Sequence, residues 1–372
     1  MATTFTIDQK RLLSVLSSMQ PICTKRTTLD ATSSILFQVG HKELILKSTD
    51  LEISLQATCL LPHHDMSSVY SFLVSGKRLF ALVKELEDEI TFTVENNQLL
   101  LQSNHVQLAL NIKDPEGFPP FPERIENLMH VNAQFLLKLL EKVAFLIPQN
   151  NANSALNGLF LEVAPTGLTM TTTDGHCLAQ VESSTITLDH EKKWLLPRRA
   201  IFELKKILEN SENSSVFLGV CGNQLVFSGE SFNFFSKLLA DQFPAYRTIL
   251  NKDDFIPAHV DRIHLVKTLR RSVCLLSGQF LATTFAFDKE LLNVAMQNKE
   301  VGKLNEALPL HGFSGTHLDI RFYAPYILNG LQSFNEEHVT FFLKNASKPI
   351  IFQSQQENYQ MTYLVMPVSP TT

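Results

Sequence analysis

The sequence predicts an α+β fold of three repeated domains, each built from two helices on antiparallel sheets. Three observations carry that reading: an amphipathic helix face recurs about every 125 residues, strand landmarks keep the same spacing, and the intervening segments alternate with period two. Leu12, Val15, Leu16 and Met19 fall at offsets 0, 3, 4 and 7, one face of a helix. Leu136, Leu139, Leu140 and Val143 repeat those offsets 124 residues later. Val266, Leu269, Val273 and Leu276 form a third such face about 130 residues further on.

A second helix follows in each third. Leu79, Leu82, Val83 and Leu86 define the first, with Ser75 as its expected N-cap. Ile201, Leu204 and Leu208 define the second, after Pro197, and Ile327, Leu331 and Phe334 the third, starting near Pro325. The six helices are expected over 8–20, 75–88, 132–147, 197–210, 261–276 and 323–335. Thr49-Asp50 and Thr173-Asp174 each end an apolar run, 124 residues apart. Asn97-Gln98 and Asn223-Gln224 open alternating runs 126 apart, and Phe118-Pro119 and Phe243-Pro244 lie 125 apart. In the third copy Met296-Gln297 stands where the Thr-Asp pair is expected. Alternation over 105–112 puts Val106, Leu108, Leu110 and Ile112 on one strand face. The expected domains are 1–127, 128–253 and 254–372, and without low-complexity linkers they are expected to pack rigidly.

Composition narrows the function classes. Hydrophobic residues are 44% and charged residues 19%, enough apolar surface for a sizeable core and too much for general disorder. No apolar run reaches the roughly 18 residues of a membrane span, and the N-terminus lacks a secretion signal. Cys23, Cys59, Cys177, Cys221 and Cys274 are scattered and never form C-x-x-C, which points to free thiols in a reducing cytoplasm. The net charge of −5 argues by itself against nucleic acid. Split by element, the picture reverses. The expected helices hold 15 Lys and Arg against 8 Asp and Glu, while the remainder holds 17 against 29. Lys10, Lys77, Lys84, Lys138, Arg199, Lys206 and Arg271 lie roughly opposite their apolar stripes. A basic surface following a phosphate backbone fits this arrangement. So does an ordinary solvated face, which Glu141 and Glu203 favour.

Catalytic and cofactor motifs are missing. Ser75-Gly76-Lys77-Arg78 lacks the glycine spacing and the Ser or Thr of a phosphate-binding loop, and neither G-x-G-x-x-G nor G-x-S-x-G occurs. Adjacent histidines in His63-His64-Asp65 point apart, so no metal is expected, and Asp88-Glu89 reads as a solvated turn. Asp174-Gly175-His176 contains the pieces of an acid–base dyad, but no nucleophile is spaced to use it. A structural turn, with Gly175 permitting an unusual φ, explains it better. No enzyme activity and no cofactor are expected.

Four strings occur in order: Leu156-Asn157-Gly158, Thr173 through Ala179 (TDGHCLA), Phe243 through Arg247 (FPAYR) and Tyr363 through Val368 (YLVMPV). Together they resemble the bacterial sliding clamps, the beta subunits of DNA polymerase III, over essentially the whole chain. The resemblance implies a head-to-tail homodimeric ring of clamp domains around duplex DNA. Such a ring is non-catalytic and tethers the polymerase by topology. Carried over by position, a partner-peptide pocket would include Leu156, Thr173, Gly175, His176, Cys177, Leu178, Pro244, Thr248, Ile249, Tyr326, Leu364, Met366, Pro367 and Val368. It would take short peptides of the replicative polymerase alpha subunit, the clamp-loader delta subunit, other polymerases and repair proteins. Without the resemblance, Leu156, Leu364 and Met366 read as plain core. DNA would be approached by Arg26, Lys77, Asn150, Arg198 and Arg199, joined by Lys138, Lys206 and Arg271 from the basic helix faces, and the dimer would close through Leu108 and Leu110 against Leu275 and Leu276. Cys177 and Thr248 stand where the family has, or often has, Arg, which is expected to remove cations from the pocket rim. Ser369-Pro370-Thr371-Thr372 replaces the usual basic ending. A clamp-like paralogue serving other partners, or a hydrolase using Asp174 and His176, are the rival readings.

Overall fold

The computed structural model describes residues 3–61, 69–122, 124–210, 215–277 and 280–368. The motif His63-His64-Asp65 and the tail 369–372 lie outside them. Each repeat has the order strand, helix, four strands, helix, three strands. The first contains β1 (Thr3–Asp8), α1 (Gln9–Cys23), β2 (Ser34–Val39), β3 (Glu43–Thr49), β4 (Ile53–Leu60) and β5 (Tyr70–Ser75). It ends with α2 (Gly76–Lys84), β6 (Glu89–Glu95), β7 (Gln98–Ser103) and β8 (Val106–Asn111). The second contains β9 (Glu126–Asn132), α3 (Ala133–Ala144), β10 (Gly158–Ala164), β11 (Gly167–Thr173), β12 (Cys177–Ser183) and β13 (Lys192–Pro197). It ends with α4 (Arg198–Glu209), β14 (Ser215–Cys221), β15 (Gln224–Ser228) and β16 (Phe232–Lys237). The third contains β17 (Ile256–Asp261), α5 (Arg262–Val273), β18 (Thr283–Phe287), β19 (Leu291–Asn298), β20 (Gly302–Pro309) and β21 (Leu318–Phe322). It ends with α6 (Ala324–Leu331), β22 (His338–Leu343), β23 (Ile350–Gln355) and β24 (Gln360–Val365).

Local chemistry explains why the elements start where they do. The residue before each leading helix caps it through a side-chain oxygen: Asp8 to the Arg11 N–H (2.8 Å), Asn132 to Phe135 (2.9 Å), Asp261 to His264 (2.7 Å). The backbone bonds from His264 and Ile263, with the nearby His264 and His338, hold the Asp261 carboxyl below its ordinary value. Helix and sheet are also tied with the period of the repeat. Ser48 donates to the Met19 carbonyl (3.4 Å), and Thr172, 124 residues on, donates to Val143 (2.8 Å). Val15, Leu82 and Val273 are half-buried, but most of the expected stripe residues are buried, Leu12, Leu16, Met19, Leu139, Val143 and Leu269 with no accessible surface. Each such side chain contributes roughly 2 kcal/mol of apolar burial.

Helices α2 to α6 fall within the expected spans, several of them shorter, whereas α1 runs past its expected end at residue 20, through Pro21 to Cys23. Ser75 occupies the N-cap position of α2, but its side chain makes no capping bond. The apolar alternation of β8 is present, yet Val106 is exposed and Leu108 and Leu110 are only half-buried, because β8 is an edge strand. In the third copy the turn residue is Asn298, one position beyond the expected Gln297. Its Oδ1 accepts the Glu300 N–H (3.0 Å).

Two compact units form, Met1–Leu137 with Arg199–Leu238, and Lys138–Arg198 with Leu239–Thr372, and neither coincides with a sequence repeat. The first unit holds the sheets β1-β6-β7-β8 and β5-β2-β3-β4-β16-β15-β14-β9. The second holds β13-β10-β11-β12-β24-β23-β22-β17 and β20-β19-β18-β21. Every pairing is antiparallel. Each eight-stranded sheet therefore joins four strands of one repeat to four of the next, through β4 on β16 and β12 on β24. By position in the repeat, β20 corresponds to β4 and β12, and β8 to β16 and β24. These two are left as edges.

Candidate functional site

The join between β12 and β24 gathers most of the expected pocket residues. Leu178 pairs directly with Leu364, and both belong to an apolar cluster with Ala155, Leu195, Phe243, Tyr246 and Ile351. Met366, Leu250 and Phe255 are half-buried against it. Leu156, Leu178 and Leu364 are buried, whereas Gly175, His176, Pro244, Thr248 and Ile249 are exposed and Thr173, Tyr326, Met366, Pro367 and Val368 are intermediate. The accessible positions thus rim an apolar floor. A cavity of about 300 Å³ opens beside it, lined by Thr248, Ile249 and Met366 together with Asn251, Asp253 and Phe255 before β17 and Lys344, Ser347, Lys348 and Pro349 between β22 and β23. None of these last seven is expected from the sequence. Neither connecting segment has a periodicity to mark it, and only folding brings them beside β24.

The 173–177 turn is structural. Asp174 Oδ1 accepts the N–H groups of His176 (2.8 Å) and Cys177 (2.7 Å), and Thr173 donates to the Cys177 carbonyl (2.6 Å). Gly175 has φ +95°, where an L side chain is strained. The His176 ring stacks on Tyr326 (centroids 5.6 Å, 17°), and its carbonyl accepts the Met366 N–H (2.9 Å). The dyad the hydrolase reading needs is absent: Asp174 meets His176 through backbone rather than ring. On the opposite side of β24, Tyr363 donates to the Tyr326 carbonyl (2.7 Å). Gly330 lets α6 lie on the Tyr363 ring, which any Cβ there would strike.

Cys177 does not lie on the rim as expected; it is 1% exposed. Strand alternation is the reason, since it puts Leu178 on the pocket face and Cys177 on the other, beside Tyr363. Burial, with the Asp174 charge, pushes the thiol well above its ordinary value. Lys344 and Lys348 line the cavity together with Asp253, and Lys344 is ion-paired with Asp254 (3.2 Å), so the cations there do not stand without acids beside them.

The expected DNA-facing residues divide in two. Arg26, Lys77, Lys138 and Asn150 are exposed, with the Lys138 ammonium 5.0 Å from the Tyr359 ring centre. The others are engaged within the protein. Arg199 is half-buried, ion-paired with the fully buried Asp50, and donates to the Pro21 carbonyl (2.8 Å). This corrects its reading as an outward cation: the preceding repeat places an acid within its reach. Arg198 is half-buried and donates to Ile147 (2.9 Å). Arg271 grips Glu306 of β20 through two nitrogens, and Lys206 pairs with Glu203 (3.1 Å). Of the expected contact leucines, Leu275 is half-buried and Leu276 is 7% exposed, so Leu276 is chiefly core of its own unit.

Repeats, open edges and the built cleft all point one way, and comparison with known proteins decides it. Family models of the DNA polymerase III beta subunit match the chain in succession: N-terminal domain over 3–122, central domain over 130–245, C-terminal domain over 247–369. The chain belongs to the DNA polymerase III beta-subunit family. It is 26% identical over 368 residues to the beta sliding clamp of Pseudomonas aeruginosa, covering 98% of this chain and 99% of that one. To the Staphylococcus aureus beta sliding clamp it is 23% identical, covering 98% of each. Among solved structures, the Pseudomonas aeruginosa sliding clamp bound to griselimycin superposes with a TM-score of 0.90 at 26% identity, over 99% of this chain and 100% of that one. The Bacillus subtilis clamp shares the fold, with a TM-score of 0.91 at 21% identity and full coverage of both. No helix among the described residues is long and apolar enough to cross a membrane.

Proposed function

We propose that this chain is a DNA sliding clamp, a non-catalytic processivity factor that encircles duplex DNA and tethers the replicative polymerase. The observation that carries this reading is the pattern of sheet joins. Two of the three equivalent junctions are made within the chain, by β4 with β16 and β12 with β24, and β20 and β8 remain for a second copy. A head-to-tail contact of this kind must close on itself or propagate. Two copies, each with three clamp domains (1–127, 128–253 and 254–372), close a ring, with Leu108 and Leu110 of one meeting Leu275 and the rim of Leu276 in the other. Exposed Arg26, Lys77 and Lys138 supply screened, sequence-independent attraction to phosphate, to which Asn150 adds a neutral hydrogen-bond donor, and this permits sliding. The cleft at Leu178, Leu364 and Met366 takes apolar side chains of short peptides from the polymerase alpha subunit, the clamp-loader delta subunit, other polymerases and repair proteins. The clamp acts in the cytoplasm, at the nucleoid.

Negative-stain imaging of the purified protein tests this. Open-centred rings of about 84 kDa, twice the chain's 42.0 kDa, are the expected result, and compact monomers at micromolar concentration would refute it.

A further inference from the structure

The wall of the cleft opposite β24 is the segment 243–250, which has little secondary structure of its own beyond a 3-10 turn at Arg247–Leu250. Something must hold it. Phe243 and Tyr246 pack on Phe160 of β10, the first stacked at 4.9 Å and the second edge-on at 6.5 Å. Two residues along the same strand face lies Glu162, a carboxylate with only 5% of its surface exposed. Its Oε2 accepts the Tyr246 hydroxyl (2.5 Å), its Oε1 accepts Arg247 (2.9 Å), and Lys193 of β13 lies 3.8 Å away. Burial and the bond to Glu162 push the Tyr246 hydroxyl up to about 12, so it stays a donor at neutral pH.

The first repeat shows that the fold does not require this cluster. With the 124–125-residue spacing, Gln38 stands for Glu162, Phe121 for Tyr246 and Pro122 for Arg247. That segment packs through its rings, with Phe121 edge-on to Phe235 at 5.8 Å and the Lys47 ammonium 5.4 Å from the Phe121 ring centre. A buried carboxylate is costly to desolvate, so its presence at Glu162 beside the cleft, where the first repeat has Gln38, calls for a role there.

We infer that Glu162, Tyr246 and Arg247 are positioning residues for the peptide cleft: they clamp the 243–250 segment onto the sheet so that Pro244, Thr248 and Ile249 form a preordered wall. The inference rests on the cleft being the peptide site. A preordered wall spares the peptide the cost of ordering it, so loosening it weakens binding without removing any contact.

The test uses the full-length clamp and a fluorescent synthetic peptide carrying adjacent Leu and Phe. Glu162→Gln keeps an acceptor for Tyr246 but loses the charge facing Arg247, and Tyr246→Phe removes the hydroxyl. Each is expected to weaken peptide binding about tenfold while ring mass and DNA affinity stay at parental values, and Arg247→Lys is expected to fall between. Hydrogen exchange at the 247–251 amides, measured without peptide, should speed up in the first two variants. Parental peptide affinity in both variants would overturn the inference even if their melting temperatures fall, because the cluster would then be merely structural. Unchanged exchange would overturn it too, whatever the peptide does. Failure of the parent to bind the peptide would instead refute the cleft as the peptide site.

Discussion

The chain makes the same turn twice and uses it differently. At 49–53, Asp50 Oδ1 accepts the N–H groups of Glu52 and Ile53 (both 2.9 Å), and the Thr49 hydroxyl donates to the Ile53 carbonyl (3.2 Å). At 173–177, Asp174 and Thr173 make the matching bonds to His176, Cys177 and the Cys177 carbonyl. The surroundings differ. Asp50 is fully buried against Arg199, with Lys25 at 3.8 Å, and the left-handed position is filled by Leu51 at φ 76°. Asp174 is half-exposed, the left-handed position is Gly175, and His176 lies open on Tyr326. One copy of the motif has become a closed electrostatic joint in its unit, and the other has stayed open where a ligand can reach it.

The largest expected effect breaks that comparison at its charged end. Asp50→Asn keeps the turn acceptor but strands Arg199, at a cost of about 3 kcal/mol. Asp174→Asn, where no buried cation depends on the charge, should stay within about 0.5 kcal/mol. Urea unfolding of both variants decides the matter, and equal costs would mean that the two turns are energetically alike. Gly175→Ala comes next. The nearest atom to a new Cβ is Leu156 Cδ1 at 3.9 Å, so space is no obstacle and the cost is backbone strain of about 1 kcal/mol, visible as a lower melting temperature.

The smallest effect concerns an exposed pair. Arg271 holds the Glu306 carboxyl below its ordinary value of 4.5, chiefly through its hydrogen bond. A carboxyl with a lowered folded pKa stabilises the protein above its unfolded pKa, and that contribution is lost as pH falls through the folded value. Arg271→Ala should therefore cost about 0.5 kcal/mol at pH 7, and the gap in melting temperature from the parent should close on acidification below the carboxylate range. The same variant sharpens the division among the cations: Lys77→Ala should lower the salt slope of DNA binding by about 1, and Arg271→Ala should leave it nearly unchanged.

The six helices were legible because burying one face of a helix writes a 3.6-residue period into the chain, and Leu12 to Met19 or Leu136 to Val143 show it directly. The strand over 106–111 was legible for the same kind of reason, with period two, whereas β10 to β12 are buried on both faces and show no such alternation. The triad Thr173, Asp174 and Gly175 could be read as a turn because its bonds are local. The position of Asn298 was missed by one residue because the third copy keeps the turn acceptor but not the Thr-Asp spelling.

What the sequence determined by itself is the repeat, the fold class and the family, since local periodicity and short motifs survive in any single stretch of chain. What tertiary structure decided is which strands join across repeats and which charges face one another. Arg199 carries the same helical signature as Lys77, yet Asp50, distant in sequence, makes it a buried partner. Glu162 lies on an ordinary strand until Tyr246 and Arg247 fold over it. Such pairings depend on through-space distances that no sequence period encodes, and at those distances burial and Coulomb attraction fix the role of each side chain.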